Sequence, residues 1–275
     1  MSKVSLPGSL AVVTGAGSGI GRATANALAA AGARVIAVDI NEVAAKETVQ
    51  QLGAEHHAYA VDVSDALAMT ELAATIEREH GIPDVVVNNA GIGMSGRFLD
   101  TTQGDWDAII GVNLRGVING CAAFGPSMVA RGSGQMVNVA SGLAYIPAAD
   151  TPAYGTTKAG VLHLSRCLRA DWASKGVGVS AICPGVINTP IAKNTHYLGA
   201  NAVKTAELAQ KGFSRSHSPT IVGKAIVSAV RRNRSVVPVG VESWGGWYLS
   251  RLVPTPVLDV TNSLVSRVSA RRTRG

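Results

Sequence analysis

The stretch LAVVTGAGSGIG, residues 10–21, decides the fold of this 275-residue chain. LAVVT (10–14) is a short apolar run typical of a buried strand, and helical spacing begins at Ile20. TGAGSGIG (14–21) therefore joins a strand to a helix. Its glycines allow a pyrophosphate to approach the helix N-terminus, where unpaired N–H groups attract anions. The spacing G-x-x-x-G-x-G departs from the standard G-x-G-x-x-G fingerprint. A glycine-rich turn without a ligand is the alternative, but the strand–turn–helix context favours dinucleotide binding.

Short apolar runs alternate with helical periods along most of the chain. This alternation predicts an α/β fold: a single doubly wound, Rossmann-type parallel sheet of about seven strands with helices on both faces. The predicted domain covers 1–241, with a substrate lid at about 190–218, and an extension covers 242–275. The predicted strands are 10–14, 34–40, 57–63, 84–91, 135–141, 177–185 and 235–241; the predicted helices are 20–31, 42–52, 65–80, 103–131, 153–175 and 219–232.

Two aspartates follow predicted strands. Asp39 ends the second strand, where an acid can bind the adenosine ribose hydroxyls and repel a 2′-phosphate. Ile40 comes next, and the glycine loop contains no Arg or Lys before Arg22, so the sequence favours NAD over NADP. A helix N-cap or a solvated strand end is the alternative for Asp39. Asp62, followed by Val63, could meet the adenine amino group, although an aspartate at a strand end is common.

A tyrosine and a lysine lie four residues apart in TPAYGTTKAG (151–160). On a helix, Tyr154 and Lys158 would share one face. A positive charge nearby favours the phenolate and lowers the pKa of a tyrosine from its usual value near ~10. The hydroxyl of Ser141, thirteen residues before Tyr154, could hold the oxygen of an alcohol or ketone against the phenol. Alone, the tyrosine and lysine often simply cover a helix face.

Taken together, these motifs resemble the short-chain dehydrogenase/reductase family, in its common subfamily. The similarity runs from about residue 8 to 190. The motifs that carry it, in the order of the family, are TGAGSGIG (14–21), NNAG (88–91), Ser141, YGTTK (154–158) and PGVINT (184–189).

The resemblance implies a role for each of four catalytic residues. Tyr154 is expected to be the general acid/base, and Lys158 to lower its pKa and bind the nicotinamide ribose. Ser141 is expected to orient the substrate oxygen. Asn113, within the predicted helix 103–131, is expected to hold a water that links Lys158 to solvent.

The resemblance also implies the residues that contact the cofactor. Asn89, Ala90 and Gly91 would line the adenosine ribose side, with Asn88 bracing the sheet, and the PGVINT segment would hold the nicotinamide. The full expected set is Gly15, Ser18, Gly19, Ile20, Gly21, Asp39, Ile40, Asp62, Val63, Asn89, Ala90, Gly91, Tyr154, Lys158, Pro184, Gly185, Ile187 and Thr189.

The expected reaction is hydride transfer between NAD and a secondary alcohol or ketone. The residues flanking the catalytic positions include few that could pair with a charged substrate, which favours an apolar, steroid- or lipid-like molecule. A small polyol or sugar alcohol is the alternative. An NADP-dependent carbonyl reductase and a non-catalytic dinucleotide-binding scaffold are the competing functions. The flanking residues are Met94, Gly142, Leu143, Ala144, Tyr145, Ile146, Pro147 and Val186.

The net charge of +7 is concentrated at one end of the chain. Residues 231–275 hold 8 Arg against 2 acids, whereas residues 1–230 hold 17 basic against 16 acidic residues. A basic end could bind nucleic acid, but no aromatic platform or known motif accompanies it, and this argues against nucleic-acid binding. For the extension we favour an arm packing on a neighbouring subunit or its active site; a peripheral membrane anchor and disorder are the alternatives, and Pro254 and Pro256 count against the anchor.

We expect a cytoplasmic protein for three reasons. The three cysteines are far apart in the sequence, the N-terminus has no apolar run, and no apolar stretch is long enough to span a membrane. The six histidines are scattered and no metal is expected. The family resemblance implies a homodimer or homotetramer formed through helices 103–131 and 153–175.

Overall fold

The computed structural model describes residues 4–254 and 256–258, and its centre is one parallel sheet. The sheet strands are β1 (Leu10–Thr14), β2 (Arg34–Asp39), β3 (His57–Ala60), β4 (Val85–Asn88), β6 (Gly134–Val139), β7 (Val177–Pro184) and β9 (Val236–Val239). A separate pair joins β5 (Met94–Ser95) to β8 (His196–Tyr197). The seven strands run in the order β3-β2-β1-β4-β6-β7-β9, which confirms the predicted doubly wound sheet.

Helices cover both faces of this sheet because successive side chains of each strand point to opposite sides. The helices are α1 (Gly19–Ala30), α2 (Glu42–Leu52), α3 (Ala66–His80), α4 (Gln103–Ile110), α5 (Gly116–Arg131), α6 (Pro152–Trp172), α7 (Ile191–Asn194), α8 (Ala202–Ser214), α9 (Thr220–Arg232) and α10 (Val241–Leu252). Val12 of β1 belongs to the core under α3, α5 and α6, whereas its neighbour Val13 belongs to the core under α1 and α9.

The predicted long helix 103–131 is present, but its central turn is π-helical rather than α-helical. A π-helical segment, Gly111–Arg115, separates α4 from α5. The wider turn brings the fully buried Asn113 against the backbone of Ile92, which both donates to and accepts from its amide. Widening of this kind is frequent at functional sites. Sequence periodicity does not reveal it, because the apolar spacing continues on either side.

Helix 103–131 taken as a whole is long and apolar enough to cross a membrane by length and composition, alone among the described residues. In this fold Val117, Phe124 and Met128 of that segment lie in the core beneath the sheet. The apolar character is therefore explained by packing within the protein.

The helix α10 was not predicted, since Gly245 and Gly246 lower the helical propensity of its sequence. The predicted boundary between the domain and the extension falls in the first turn of this helix. Residue 255 and residues 259–275, with Arg267, Arg271, Arg272 and Arg274, lie outside the described residues. The arm, anchor and disorder interpretations of that terminal part stay predictions.

The chain crosses the sheet between β3 and β4, so β1 and β4 are neighbours although they are not consecutive. The loops that follow their carboxyl ends leave in opposite directions and open a crevice at this point. TGAGSGIG follows β1 and NNAG begins at the end of β4. The topology therefore brings these two motifs together.

Candidate active site

The loop Thr14–Gly21, here called the phosphate loop, forms a tight backbone turn that leaves room for a ligand. Gly15 and Gly19 have φ values of 63° and 50°, in the left-handed region that favours glycine. A Cβ on Gly21 would overlap the carbonyl oxygen of Gly15. Ser18 is the N-cap of α1 but makes no side-chain cap hydrogen bond, so its hydroxyl does not occupy the first-turn N–H groups. The loop fits an anionic phosphate.

Hydrogen bonds join the phosphate loop to the NNAG motif. The hydroxyl of Thr14 accepts from the backbone N–H groups of Asn89 and Ala90 at 2.9 and 3.1 Å. The Asn89 amide donates in return to the Thr14 carbonyl at 2.9 Å. Asn88 braces the sheet as expected, because its amide donates to Asn138 Oδ1 on the adjacent strand β6 at 2.8 Å.

The carboxylate of Asp39 lies at the carboxyl end of β2, against the phosphate loop. Its Oδ2 accepts from the Gly17 N–H at 2.8 Å and its Oδ1 from the Asn41 N–H at 2.9 Å. Ile40 beside it is 71% exposed. Asp62 accepts from the N–H and the hydroxyl of Ser64, so it forms a local turn after β3, and Val63 is buried behind it.

Lys158 lies on α6 with its ammonium group inside the protein. The residue is 4% exposed, and Nζ donates to the carbonyl of Val139 at 3.1 Å. Nζ is 5.7 Å from the centroid of the Tyr154 ring, so the two residues share a face of α6 as predicted. Burial lowers the pKa of Lys158 from its ordinary 10.5 to about 8.

A side-chain hydrogen bond joins Ser141 to the buried phenol of Tyr154. Ser141 is buried just beyond β6, where its Oγ also accepts from the Leu143 N–H at 3.2 Å. Burial raises the pKa of Tyr154, and the hydrogen bond with Ser141 acts in the opposite sense. In the protein alone, the pKa of Tyr154 therefore lies above its ordinary value. The sequence had led us to expect a lowered value from the charge of Lys158.

Asn113 reaches the same group of residues from the π-helical segment. Its Oδ1 accepts from the Ile92 N–H at 2.8 Å, and its Nδ2 donates to the Ile92 carbonyl at 3.0 Å. A Cβ on Gly91 would lie 3.1 Å from Asn113 Oδ1 and 3.4 Å from Lys158 Nζ. Because residue 91 is a glycine, the Asn113 amide and the Lys158 ammonium group can both approach the backbone at this position. The expected water bound to Asn113 stays a prediction.

PGVINT (184–189), here called the nicotinamide loop after the role that the sequence predicts for it, follows β7. The Gly185 N–H donates to the Val239 carbonyl at 2.8 Å, and Ile187 is buried and pairs with His217. A Cβ on Gly19 would lie 3.1 Å from Thr189 Cβ, so this loop meets the phosphate loop. Pro184 ends β7, while Ile20 packs into the core beneath α1.

The expected substrate side is largely apolar around the phenol. Tyr154 packs with Met94, Ile109 and Ala153, together with Trp106 and Leu198. The predicted lid contains α7, β8 and α8, and α8 has no buried residue. Tyr145, expected beside the catalytic positions, instead turns its hydroxyl toward Ser243 of α10.

Sequence reasoning missed several residues that shape the site. Thr14 and Thr157 occur within the motifs, and their hydroxyls bond Asn89 and Asn113. From α10, Glu242 contacts Val186 and Ser243 contacts Tyr145 and Cys183, and no motif marks these two residues. Among the described residues, no group of three or more His, Cys, Asp or Glu side chains is placed to hold a metal ion.

Comparison with known proteins places these features in context. The sequence profile of the family described as short chain dehydrogenase matches residues 9–197. A probable oxidoreductase, EphD, of Mycobacterium tuberculosis is 45% identical over 255 residues, covering 89% of this chain and 43% of the relative. The chain thus spans less than half the length of that relative. D-threitol dehydrogenase of Mycolicibacterium smegmatis is 39% identical over 189 residues, 68% of this chain and 73% of the relative.

Solved structures show the same fold. A short chain dehydrogenase/reductase from Burkholderia phymatum, crystallised in complex with NAD, superposes with a TM-score of 0.84 at 27% identity. The match covers 90% of this chain and 94% of the other. A short-chain dehydrogenase from Streptomyces avermitilis matches with a TM-score of 0.80 at 26% identity, covering 98% of each chain.

The buried ammonium of Lys158 predicts a stability cost. Because the pKa is about 8 in the folded protein and 10.5 ordinarily, the unfolded chain binds the proton more tightly. At about pH 7 this difference corresponds to on the order of 3 kcal/mol. Stability from this group therefore rises as the pH increases from about 8 through 10.5. We expect Lys158→Met to raise the free energy of urea unfolding near pH 7, and the gain to shrink near pH 10.

Lys46→Met is the matched control, because Lys46 is exposed and pairs only with Glu42 among the described ion pairs. It should change stability by less than about 1 kcal/mol. A Lys158→Met protein less stable than the wild type near pH 7 would contradict the prediction.

Proposed function

Because the chain belongs to the short-chain dehydrogenase family, we propose that it is an NAD-dependent oxidoreductase that interconverts a secondary alcohol and a ketone. The observation that carries the proposal is that Tyr154 has a side-chain hydrogen bond with Ser141 and that its ring centroid lies 5.7 Å from Lys158 Nζ, next to Gly91 of the NNAG motif. Family membership makes it an oxidoreductase; the cofactor, the substrate and the role of Tyr154 are inferred from the residues.

The crevice residues fit a nicotinamide dinucleotide. The left-handed glycines and the uncapped start of α1 suit the pyrophosphate, and the Asp39 carboxylate stands where the adenosine ribose would meet the end of β2. The carboxylate would attract ribose hydroxyls and repel a 2′-phosphate, which supports NAD over NADP. The dinucleotide, when bound, accepts or supplies the hydride.

The protein residues would manage the proton that accompanies hydride transfer. Tyr154 takes the hydroxyl proton when an alcohol is oxidised and returns one when a ketone is reduced. Ser141 shares a hydrogen bond with this phenol and can hold the substrate oxygen beside it. Lys158 is charged below about pH 8, and its charge favours the phenolate that Tyr154 must become. The charge of Lys158 thus opposes burial, which raises the pKa of the phenol.

An apolar substrate is supported by the side chains around Tyr154. Met94, Trp106 and Leu198 provide no charge for a polar molecule. D-threitol dehydrogenase, 39% identical, and galactitol 2-dehydrogenase of Cereibacter sphaeroides, 41% identical, favour the polyol alternative, although each alignment covers only about two thirds of this chain. A spectrophotometric screen with NAD that includes cyclic apolar alcohols, D-threitol and galactitol decides between the two classes.

We expect Tyr154→Phe to lower kcat by roughly 10²- to 10⁴-fold, because the general acid/base is lost. The affinity for NAD, measured by titration calorimetry, should change little. Tyr248→Phe on exposed α10 is the control and should leave kcat unaltered. Full activity of Tyr154→Phe on a confirmed substrate would refute the mechanism. Wild-type protein that binds NAD without turning over any tested alcohol or ketone would favour the scaffold alternative.

The cofactor preference is tested with Asp39→Asn, which keeps an oxygen acceptor for the Gly17 N–H but removes the charge. The ratio of kcat/KM for NADP to that for NAD should rise about tenfold or more, because repulsion of the 2′-phosphate is relieved. Asp62→Asn is the matched control and should affect both cofactors alike. A wild-type enzyme that prefers NADP, or an unchanged ratio in Asp39→Asn, would exclude this role for Asp39.

We also propose a homodimer or homotetramer that uses the outer faces of α5 and α6, in a reducing compartment such as the cytoplasm. Ile118 on α5 is 43% exposed, with Ala122 and Pro126 exposed one and two turns further along the same face. An apolar helix face of this kind is typical of a contact with another copy. The three cysteines are free, two of them buried, which supports the compartment.

We expect light scattering to give a mass that is a multiple of the 28.2 kDa chain. Ile118→Glu should shift the mass toward the single chain, because a charge would be buried in the interface. Leu67→Glu at the start of α3, where Leu67 is 77% exposed, is the control and should leave the mass unchanged. A wild-type monomer at micromolar concentration would contradict the proposal.

A further inference from the structure

Helix α10 is fixed against the catalytic region by its second turn and by one buried serine. Ser243 is 1% exposed, and its Oγ donates to the Cys183 carbonyl at 2.6 Å, immediately before the nicotinamide loop. The Tyr145 hydroxyl donates to the Ser243 carbonyl at 2.8 Å and also contacts its hydroxyl. The Tyr145 and Trp247 rings meet edge to face at 5.3 Å. The start of α10 therefore has a defined position relative to the site.

Glu242, the residue before Ser243, places its carboxylate on the nicotinamide loop. Oε1 accepts from the Val186 N–H at 2.6 Å. Any Cβ on Gly185 would overlap the Glu242 carboxylate, so the glycine at 185 provides the space that this close approach needs. A short hydrogen bond to a charged acceptor is among the stronger ones in proteins.

The second oxygen of the same carboxylate binds the end of the lid. Oε2 of Glu242 lies 3.3 Å from Nε2 of His217. The backbone of His217 pairs with the nicotinamide loop, since the Asn188 N–H donates to its carbonyl at 2.8 Å. One side chain thus joins α10, the nicotinamide loop and the residue at which the lid ends.

We propose that Glu242 is a positioning residue that holds the nicotinamide loop in the geometry required to bind the cofactor. The inference rests on the proposed NAD function and extends it to a residue beyond the motifs of the family. The hydrogen bond to Val186 fixes the backbone between Pro184, at the end of β7, and Ile187, which is buried beside His217. Without it, the loop would have to be ordered when the dinucleotide binds, which weakens binding. Misplacement of the loop would also lower the rate of hydride transfer.

Two variants of matched length test the hydrogen bond. Glu242→Gln keeps an oxygen acceptor but no charge, and Glu242→Met keeps the volume against Gly185 with no comparable acceptor. We expect Glu242→Met to raise the Kd for NAD about tenfold or more and to lower kcat. Glu242→Gln should retain both within about threefold. Glu71→Met on the exposed face of α3 is the control for the substitution itself.

A readout without cofactor separates this inference from the proposed function. Hydrogen exchange of the Val186 amide, followed in the unliganded protein, should be slow in the wild type and in Glu242→Gln and faster in Glu242→Met. His217→Asn removes the ion pair but not the hydrogen bond to Val186, so NAD affinity should stay within about threefold.

The inference is overturned if, in Glu242→Met, the Val186 amide exchanges as slowly as in the wild type and the affinity for NAD is unchanged. It is also overturned if Glu242→Gln or His217→Asn is as impaired as Glu242→Met, because the charge rather than the loop hydrogen bond would then be responsible. If Glu242→Met fails to fold, the Glu242→Gln variant still tests the inference. A loss of NAD affinity beyond threefold in Glu242→Gln overturns the inference, and an affinity within threefold of the wild type supports it. A wild type that binds no NAD would refute the proposed function instead, while the exchange result would stand by itself.

Discussion

The hydroxyl of Thr14 joins the ends of two adjacent strands, and the arrangement of the site depends on this contact. It accepts from two backbone N–H groups at the end of β4, while its own backbone leads into the phosphate loop. The junction is so close that a Cβ on Gly15 would lie 2.8 Å from Ala90 Cα. Glycine there is a packing requirement as well as a conformational one. Because the two loops are fixed to each other, the ligand crevice is formed by the fold before any ligand arrives.

The second constraint is a charge kept away from water. Lys158 places its ammonium group in the interior, where the described residues offer it the Val139 carbonyl as acceptor although an ammonium can donate three hydrogen bonds. Burial therefore lowers the pKa of Lys158. The neighbouring phenol has the opposite difficulty, since burial opposes its ionisation. Burial disfavours the charged form of each side chain alone, whereas the two opposite charges together would stabilise each other. Such local instability is expected where a site serves chemistry rather than folding.

The sequence predicted the sheet and nominated most of the candidate residues, because both depend on local signals. Apolar runs of strand length identified all seven strands, and the glycine spacing located the phosphate loop. Asn113 shows the limit of this approach: its place depends on a π-helical turn that leaves the apolar periodicity intact, and only the family resemblance drew attention to it. Helix α10 shows another limit. Gly246 lowers helical propensity locally, yet any Cβ there would overlap Ile146, so a long-range contact explains the residue. Tertiary packing of this kind cannot be deduced from neighbours in sequence.

Part of the segment 190–218, the predicted lid, is held more weakly than the nicotinamide loop beside it. Near its start the segment is attached by the pairing of β8 with β5 and by the packing of Leu198, and near its end by the backbone of His217. Two ion pairs add to these contacts, His196 with Asp105 and His217 with Glu242, at 3.3 Å each. Both imidazoles are substantially exposed, and exposed pairs contribute little, typically below about 1 kcal/mol. Between them α8 has no buried residue to hold it in place. The least strongly held part of the segment is therefore α8. The nicotinamide loop beside it has a buried isoleucine, backbone pairing with His217 and β9, and the carboxylate of Glu242. We therefore expect α8 to move more readily than the nicotinamide loop, because the two are stabilised by interactions of different strength.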